Sequence, residues 1–271
     1  MQGASRESLA GAEDRLAGLL SQSSVDGALV GSELYALTDL LDGQPALRTS
    51  LTDPARSGDD KAGLVRSLIS GKVSVPLQEY VEGTVRSRWS QNRDLADAFE
   101  GLAAESLLAA AESSGRLEAL EDDIFRFARL VAAEPELRAA LTDRALPLDR
   151  KAALLHELLA GKASPEAETL ITRMITRPRG RSLEAGLASI ADLAAARRQR
   201  TVATVTAAVP MSSAQRTRLA ASLAATLGHE VHLNVLVEPE VIGGLRVSIG
   251  DEVIDGTLAT RLQEAQRRIT H

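Results

Sequence analysis

The chain has 271 residues, 44% hydrophobic but only 2% aromatic, with no cysteine and a formal charge of −6. That length allows two or three small domains, and an apolar fraction made mostly of Ala and Leu favours close-packed helices over a sheet-built core. The acidic balance gives no general attraction to nucleic acid or anionic lipid, and the lack of thiols excludes disulfides, thiolate catalysis and cysteine-held metals.

No apolar run approaches the roughly 20 residues of a membrane span, and the start, Met1-Gln-Gly-Ala-Ser-Arg-Glu7, lacks a signal-peptide core. The chain is therefore expected to be soluble and to reach a membrane only through partners. Apolar positions recur at helical spacing near residues 6–21, 29–42, 60–70 and 75–87, with a short helical turn at 45–51. Gly71 stands where a helix should stop, and Ser74-Val-Pro76 supplies a cap residue and a proline for the next. Trp89, the one tryptophan, reads equally as core or as a partner-facing anchor.

The chain then repeats itself. Across 44–74 and 134–164, with no gap, Pro45, Leu47, Arg48, Leu51, Thr52, Asp53, Ala55, Asp59, Lys61, Ala62, Leu64, Leu68, Gly71, Lys72 and Ser74 each recur ninety positions later. Shared composition does not produce such a match, so this is a duplicated domain. Gly161 and Ser164-Pro165 repeat the stop and start signals. The stretch from about 93 to 113 aligns both with the last helix of the first copy and the first of the second (Leu95 with Leu183, Leu9 with Phe99). One long helix shared by two bundles is expected there.

After about residue 201 the pattern changes to β-branched alternation, predicting a strand near 202–209. Ser212-Ser-Ala-Gln215 is a capping box opening a helix through Leu219, Leu223 and Leu227 to a stop at Gly228, and 231–237 is a second strand. Beyond it, Ile242-Gly243-Gly244 allows close backbone approach and Leu245, Val247 and Ile249 alternate as a half-buried strand. Gly250-Asp251 supplies a turn, Val253-Ile254 returns antiparallel, and Asp255 or Thr257 caps a last helix. The fold expected is mainly α: two tandem helical bundles, 1–93 and 94–200, sharing a long helix and followed by a small α/β unit at 201–271.

Chemistry finds little footing. His229 and His232 sit at a strand entry, where side chains three apart face opposite ways, so a shared metal is not expected. His156 and His271 lack an acidic partner pattern and read as surface residues. Gly243-Gly244 precedes a strand rather than a helix and matches no phosphate-loop pattern. Of the basic runs, Arg177–Arg181 reads as a solvated loop and Arg197–Arg200 as a helix C-terminus; neither has aromatics for stacking bases. Glu118, Glu121, Asp122 and Asp123 read as the acidic first turn of a helix. No catalytic, cofactor or metal residue is expected.

The string from Val237 to Thr257, with Pro239, Ile242, Gly243, Gly244, Gly250, Asp251, Asp255 and Thr257 in order, resembles the delta subunit of bacterial F-type ATP synthases. The mitochondrial oligomycin-sensitivity-conferring protein is a relative. The family commonly has aspartate and serine where this chain has Glu238 and Thr257, replacements that keep a carboxylate and a hydroxyl. The resemblance covers about 95–271; the first bundle is an extra copy that many members lack.

The resemblance implies a stator subunit without an active site or cofactor. One bundle would hold the N-terminal helices of alpha subunits on the catalytic head, and the C-terminal unit would hold b-type stalk subunits. The complex would sit at the cytoplasmic face of the bacterial plasma membrane, with this subunit peripheral and in contact with neither lipid interior nor nucleic acid. On the family's arrangement the head-binding groove lies between the first and fifth helices of a bundle. In the second copy those helices carry Phe99, Leu102, Leu107, Leu170, Ile171 and Met174, each readable also as core. An equally apolar groove in the first copy would make it a second helix-binding module; a polar one would make it a spacer. The competing reading is a helical scaffold or adaptor unrelated to ATP synthase, and an enzyme using the glycine loop is a distant third.

Overall fold

The computed structural model describes residues 3–199, 201–227, 231–238, 245–249 and 252–255. They fall in two compact units, 1–195 and 196–271.

In the first unit the ninety-residue repeat is carried into the helices almost residue for residue. The first copy runs α1 (Ala4–Leu20), α2 (Gly27–Gly43), α3 (Pro45–Thr52), α4 (Gly58–Ile69) and α5 (Val75–Arg86). The second runs α6 (Asp94–Ser113), α7 (Leu117–Ala133), α8 (Pro135–Thr142), α9 (Leu148–Leu159) and α10 (Pro165–Thr176), followed by α11 (Leu183–Gln199). Local devices repeat too. Asp53 and Asp143 each accept from the backbone N–H two residues on, at 2.8 Å. Gly71 and Gly161 end α4 and α9 with φ of 71° and 69°, the left-handed conformation that lets the chain leave a helix without a Cβ clash.

The cap expected of Ser74 and Ser164 is made differently. Neither hydroxyl bonds its own helix; a carboxylate from the second helix of each copy does the capping. Glu33 accepts from Ser74 N–H at 2.9 Å and from its hydroxyl at 2.8 Å, and Asp123 accepts from Ser164 N–H at 2.7 Å. A carboxylate placed there meets both the orphan donors and the positive end of the helix dipole. Of the four carboxylates expected in an acidic first turn only Glu118 lies there, because α7 starts at Leu117; Asp123 falls a turn later, buried, reaching α10 and pairing with Arg126.

The long helix α6 belongs to both copies. Its buried residues, among them Leu95, Phe99, Leu102, Ala103, Leu107 and Ala111, join a core shared by the whole unit. α2 lies especially close along it. At Gly31 an added Cβ would stand 2.9 Å from Leu107 Cγ and 3.0 Å from Ala103 O; at Gly27 it would stand 3.0 Å from Ser106 O. Two glycines one turn apart thus let α2 approach the small-residue face of α6. Trp89 resolves to core, buried with its indole N–H donating to Thr84 O at 3.2 Å.

The second unit contains β1 (Thr201–Ala207), α12 (Ser213–Leu227), β2 (Val231–Val237), β3 (Leu245–Ile249) and β4 (Glu252–Asp255). The sheet order is β2-β1-β3-β4. β1 and β2 are parallel, which requires the crossover that α12 supplies, and the other two pairings are antiparallel. The capping box forms, with Gln215 N–H donating to Ser212 Oγ at 3.3 Å and Ser212 N–H to Gln215 Oε1 at 2.8 Å. Val205 faces Val235 on one side and Val247 on the other, and with Leu223 and Val231 they form this unit's core.

Candidate functional site

The six groove candidates are brought together and buried. Phe99, Leu102, Leu107, Leu170, Ile171 and Met174 all lie in the first unit's core, none more than 5% exposed. Leu107 sits under Gly31 of α2. Leu170 and Met174 border a cavity of about 350 Å³ between α6, α10 and α11, with α2 contributing Tyr35. Ile190 and Leu193 of α11 complete its apolar wall, and Asp97, Glu100, Arg173, Arg179 and Arg181 form its polar side.

That polar side is an ion-pair cluster. Arg173 donates to Asp39 at 2.7 Å, and Arg177 lies 3.3 Å from the same oxygen. Arg179 meets Asp42 at 2.8 Å, Glu100 at 3.3 Å and also Asp97, while Arg181 meets Glu100 at 2.9 Å. Asp39 and Asp42 come from α2, so the cluster ties the first copy to the end of α10 and the loop after it. The solvated-loop reading of Arg177–Arg181 is corrected here: the Arg179 side chain is only 7% exposed and its backbone takes a φ of 51°, unusual for a residue with a Cβ. Four carboxylates around the loop outweigh hydration, and nothing local in an Arg-Pro-Arg-Gly-Arg string reveals them. The ninety-residue alignment holds the one available signal, because Arg173 replaces Gly83 and Asp39 is replaced by Arg129.

Arg173 also stacks on Tyr35, with its Cζ 4.6 Å from the ring centroid. Burial pushes the Tyr35 phenol up, and the nearby Arg173 only partly opposes this. The first copy lines the equivalent place with different side chains. Its corresponding positions are Glu7, Asp14, Tyr80, Gly83 and Thr84. Tyr80 fills the space between α1 and α5, its hydroxyl donating to Ala12 O at 3.1 Å.

The second unit has its own hollow, about 670 Å³, lined by Val209, Pro210, Met211, Leu219 and Leu245 with Arg218 at its edge. Val209 is 69% exposed. Of the tail motif, Asp255 ends β4, paired in register with Arg246. Pro239, Ile242, Gly243, Gly244, Gly250, Asp251, Thr257 and the last helix lie outside the described residues, as do Gly228, His229 and His271. His156 does have an acidic partner, Glu168 at 2.7 Å on the next helix. Among the described residues no three His, Asp or Glu side chains gather as metal ligands, and no helix is long and apolar enough to cross a membrane.

Residues 103–269 match the family model described as ATP synthase delta (OSCP) subunit. The chain is 51% identical over 269 residues to the ATP synthase subunit delta of Streptomyces griseus, covering 99% of each chain. It is 52% identical to that of Streptomyces coelicolor, covering 99% of this chain and 98% of the relative. A chain of the Toxoplasma gondii mitochondrial ATP synthase hexamer aligns over 62% of this chain and 95% of its own, at 23% identity and a TM-score of 0.29, too slight a likeness to bear on the fold.

Proposed function

Since this chain belongs to the ATP synthase delta (OSCP) family, we propose that it is the stator link between the catalytic head and the membrane-anchored stalk. It is a non-catalytic subunit of an ATP synthase, and its partners are other subunits of that complex. The adaptor reading outside ATP synthase is thereby closed.

Three parts are assigned: a first bundle at 1–93, a second at 94–200 and a stalk-binding unit at 201–271. The second bundle receives an N-terminal helix of an alpha subunit beside α6 and α10, with Leu170 and Met174 at the contact. Phe99, Leu102, Leu107 and Ile171 support that contact from the core behind it. The observation that carries the choice of copy is the asymmetry of the two grooves. The second has a cavity walled on one side by Leu170, Met174, Ile190 and Leu193 and open to an incoming side chain, whereas in the first Tyr80 stands in place of Leu170 and bonds across to α1, and Asp14 stands in place of Ala104. An amphipathic helix in an apolar groove supplies affinity without chemistry. The hollow beside Val209 and Met211 is the matching candidate for the ends of b-type subunits. The assembled subunit would be peripheral, at the cytoplasmic face of the bacterial plasma membrane.

The test is titration of the purified chain against catalytic heads stripped of their stator, with alpha subunits intact or trimmed of their N-terminal helices. One-to-one binding that disappears on trimming is expected. Equal binding to trimmed heads would reject the alpha contact, and no binding to intact heads would reject the stator link.

A further inference from the structure

One edge of Arg173 has no use within the described chain. The side chain is nine-tenths buried, Nη1 is committed to Asp39, and the flat face of the guanidinium rests on Tyr35. Stacking occupies the face but leaves the in-plane N–H groups unmet. Nε and Nη2 are shielded from solvent and have no hydrogen-bond partner among the described residues. Together these two nitrogens form the side-on fork that grips a carboxylate through two parallel hydrogen bonds. Leaving such donors buried and unmet is costly, which marks the place as one awaiting an acceptor.

We propose that this fork receives a carboxylate carried by the docking helix, and that the first bundle holds Arg173 in position for it. The inference rests on the reading above, in which a partner helix enters beside α6 and α10. The cavity that Arg173 borders is walled by Leu170, Met174, Ile190 and Leu193. Its occupant is therefore an amphipathic helix with one acidic residue set within an apolar stripe. The four arginines of the cluster are matched by four carboxylates, Asp39, Asp42, Asp97 and Glu100, so unused donors rather than excess charge select the acid. Both residues that hold Arg173, Tyr35 and Asp39, come from α2 of the first copy. Their counterparts in the second copy, Phe125 and Arg129, are exposed, and the counterpart of Arg173 is Gly83. Duplication has thus built a site at the junction of the copies that neither copy contains alone.

Calorimetric titration of the full chain with a synthetic alpha-subunit N-terminal helix tests this, using the parent peptide and versions with each acidic residue changed to its amide. One amide peptide should bind on the order of 10- to 100-fold more weakly, the Arg173→Gln chain should lose a similar factor, and the two losses should not add. Asp39→Asn should weaken binding in the parent background and do nothing further beside Arg173→Gln, and Asp39→Glu should restore it. Trp89 fluorescence and helical circular dichroism confirm that each variant is folded. Parent-like affinity of Arg173→Gln, or additive losses with every amide peptide, would overturn the proposal. So would Arg173-dependent binding of acetate alone with all amide peptides unaffected. Heads bound tightly by an Arg173→Gln chain would leave the stator link standing and remove the fork; heads not bound by the parent chain would remove both.

Discussion

Gly31→Ala tests whether the close approach of α2 to α6 is what joins the two copies. In an open helix the substitution stabilises by about 1 kcal/mol, because alanine loses less backbone freedom than glycine. Here the new Cβ would stand 2.9 Å from Leu107 Cγ and 3.0 Å from Ala103 O. Carbon atoms in contact prefer about 3.5–4.0 Å, so the helices must separate by a sizeable fraction of an ångström. Leu107 is buried and Ala103 O belongs to the α6 backbone, so neither retreats cheaply. Overpacking of this kind costs about 1–3 kcal/mol, leaving a net loss near 1 kcal/mol. Gly63→Ala is the control: the residue is exposed in α4 with nothing within 4 Å of its Cβ position, and it should gain about 0.5–1 kcal/mol. Urea unfolding followed by Trp89 fluorescence should place the two midpoints roughly 1 M apart, at unchanged slope. A Gly31→Ala chain as stable as Gly63→Ala would refute the close-packing argument.

Glu33→Ala and Asp123→Ala should each lower stability by about 1–2 kcal/mol in the same assay. Arg66 grips Glu82 through two N–H donors, and this hydrogen bonding holds the Glu82 carboxyl below the usual range despite desolvation. A depressed folded-state pKa adds stability that is present above the unfolded value and lost as pH falls through the folded one. Unfolding midpoints should therefore fall below about pH 4.5, and Glu82→Gln should flatten that acid limb. Val205→Ala removes two methyls from the centre of the second unit's core and should cost about 2 kcal/mol there. Limited proteolysis should show earlier cleavage after residue 196, with the Trp89 signal unchanged.

Local signals carried much of this architecture because they act over a few residues. The glycine stops at 71 and 161, the Ser212–Gln215 box and the apolar periodicities from 6 to 87 each correspond to an observed helix end or span. The repeat extended that reading: identical side chains ninety positions apart specify the same turn at Asp53 and Asp143. The half-buried strand at 245–249 was legible for the same reason, since strict alternation leaves one face for the core.

Interactions between distant residues were not legible. Ser74 looks like a cap, yet the capping oxygen belongs to Glu33, forty-one positions away. Arg177–Arg181 looks hydrated, yet α2 brings Asp39 and Asp42 onto it across more than 130 residues. Helical periodicity tells which side of α6 is apolar but not which of two bundles covers it. Composition, the repeat and the tail motif thus determined helix content, duplication and family, because each is a property of chain order. Only the tertiary structure decided that the first copy completes a wall of the second, because ion pairing and close packing depend on which surfaces meet in space.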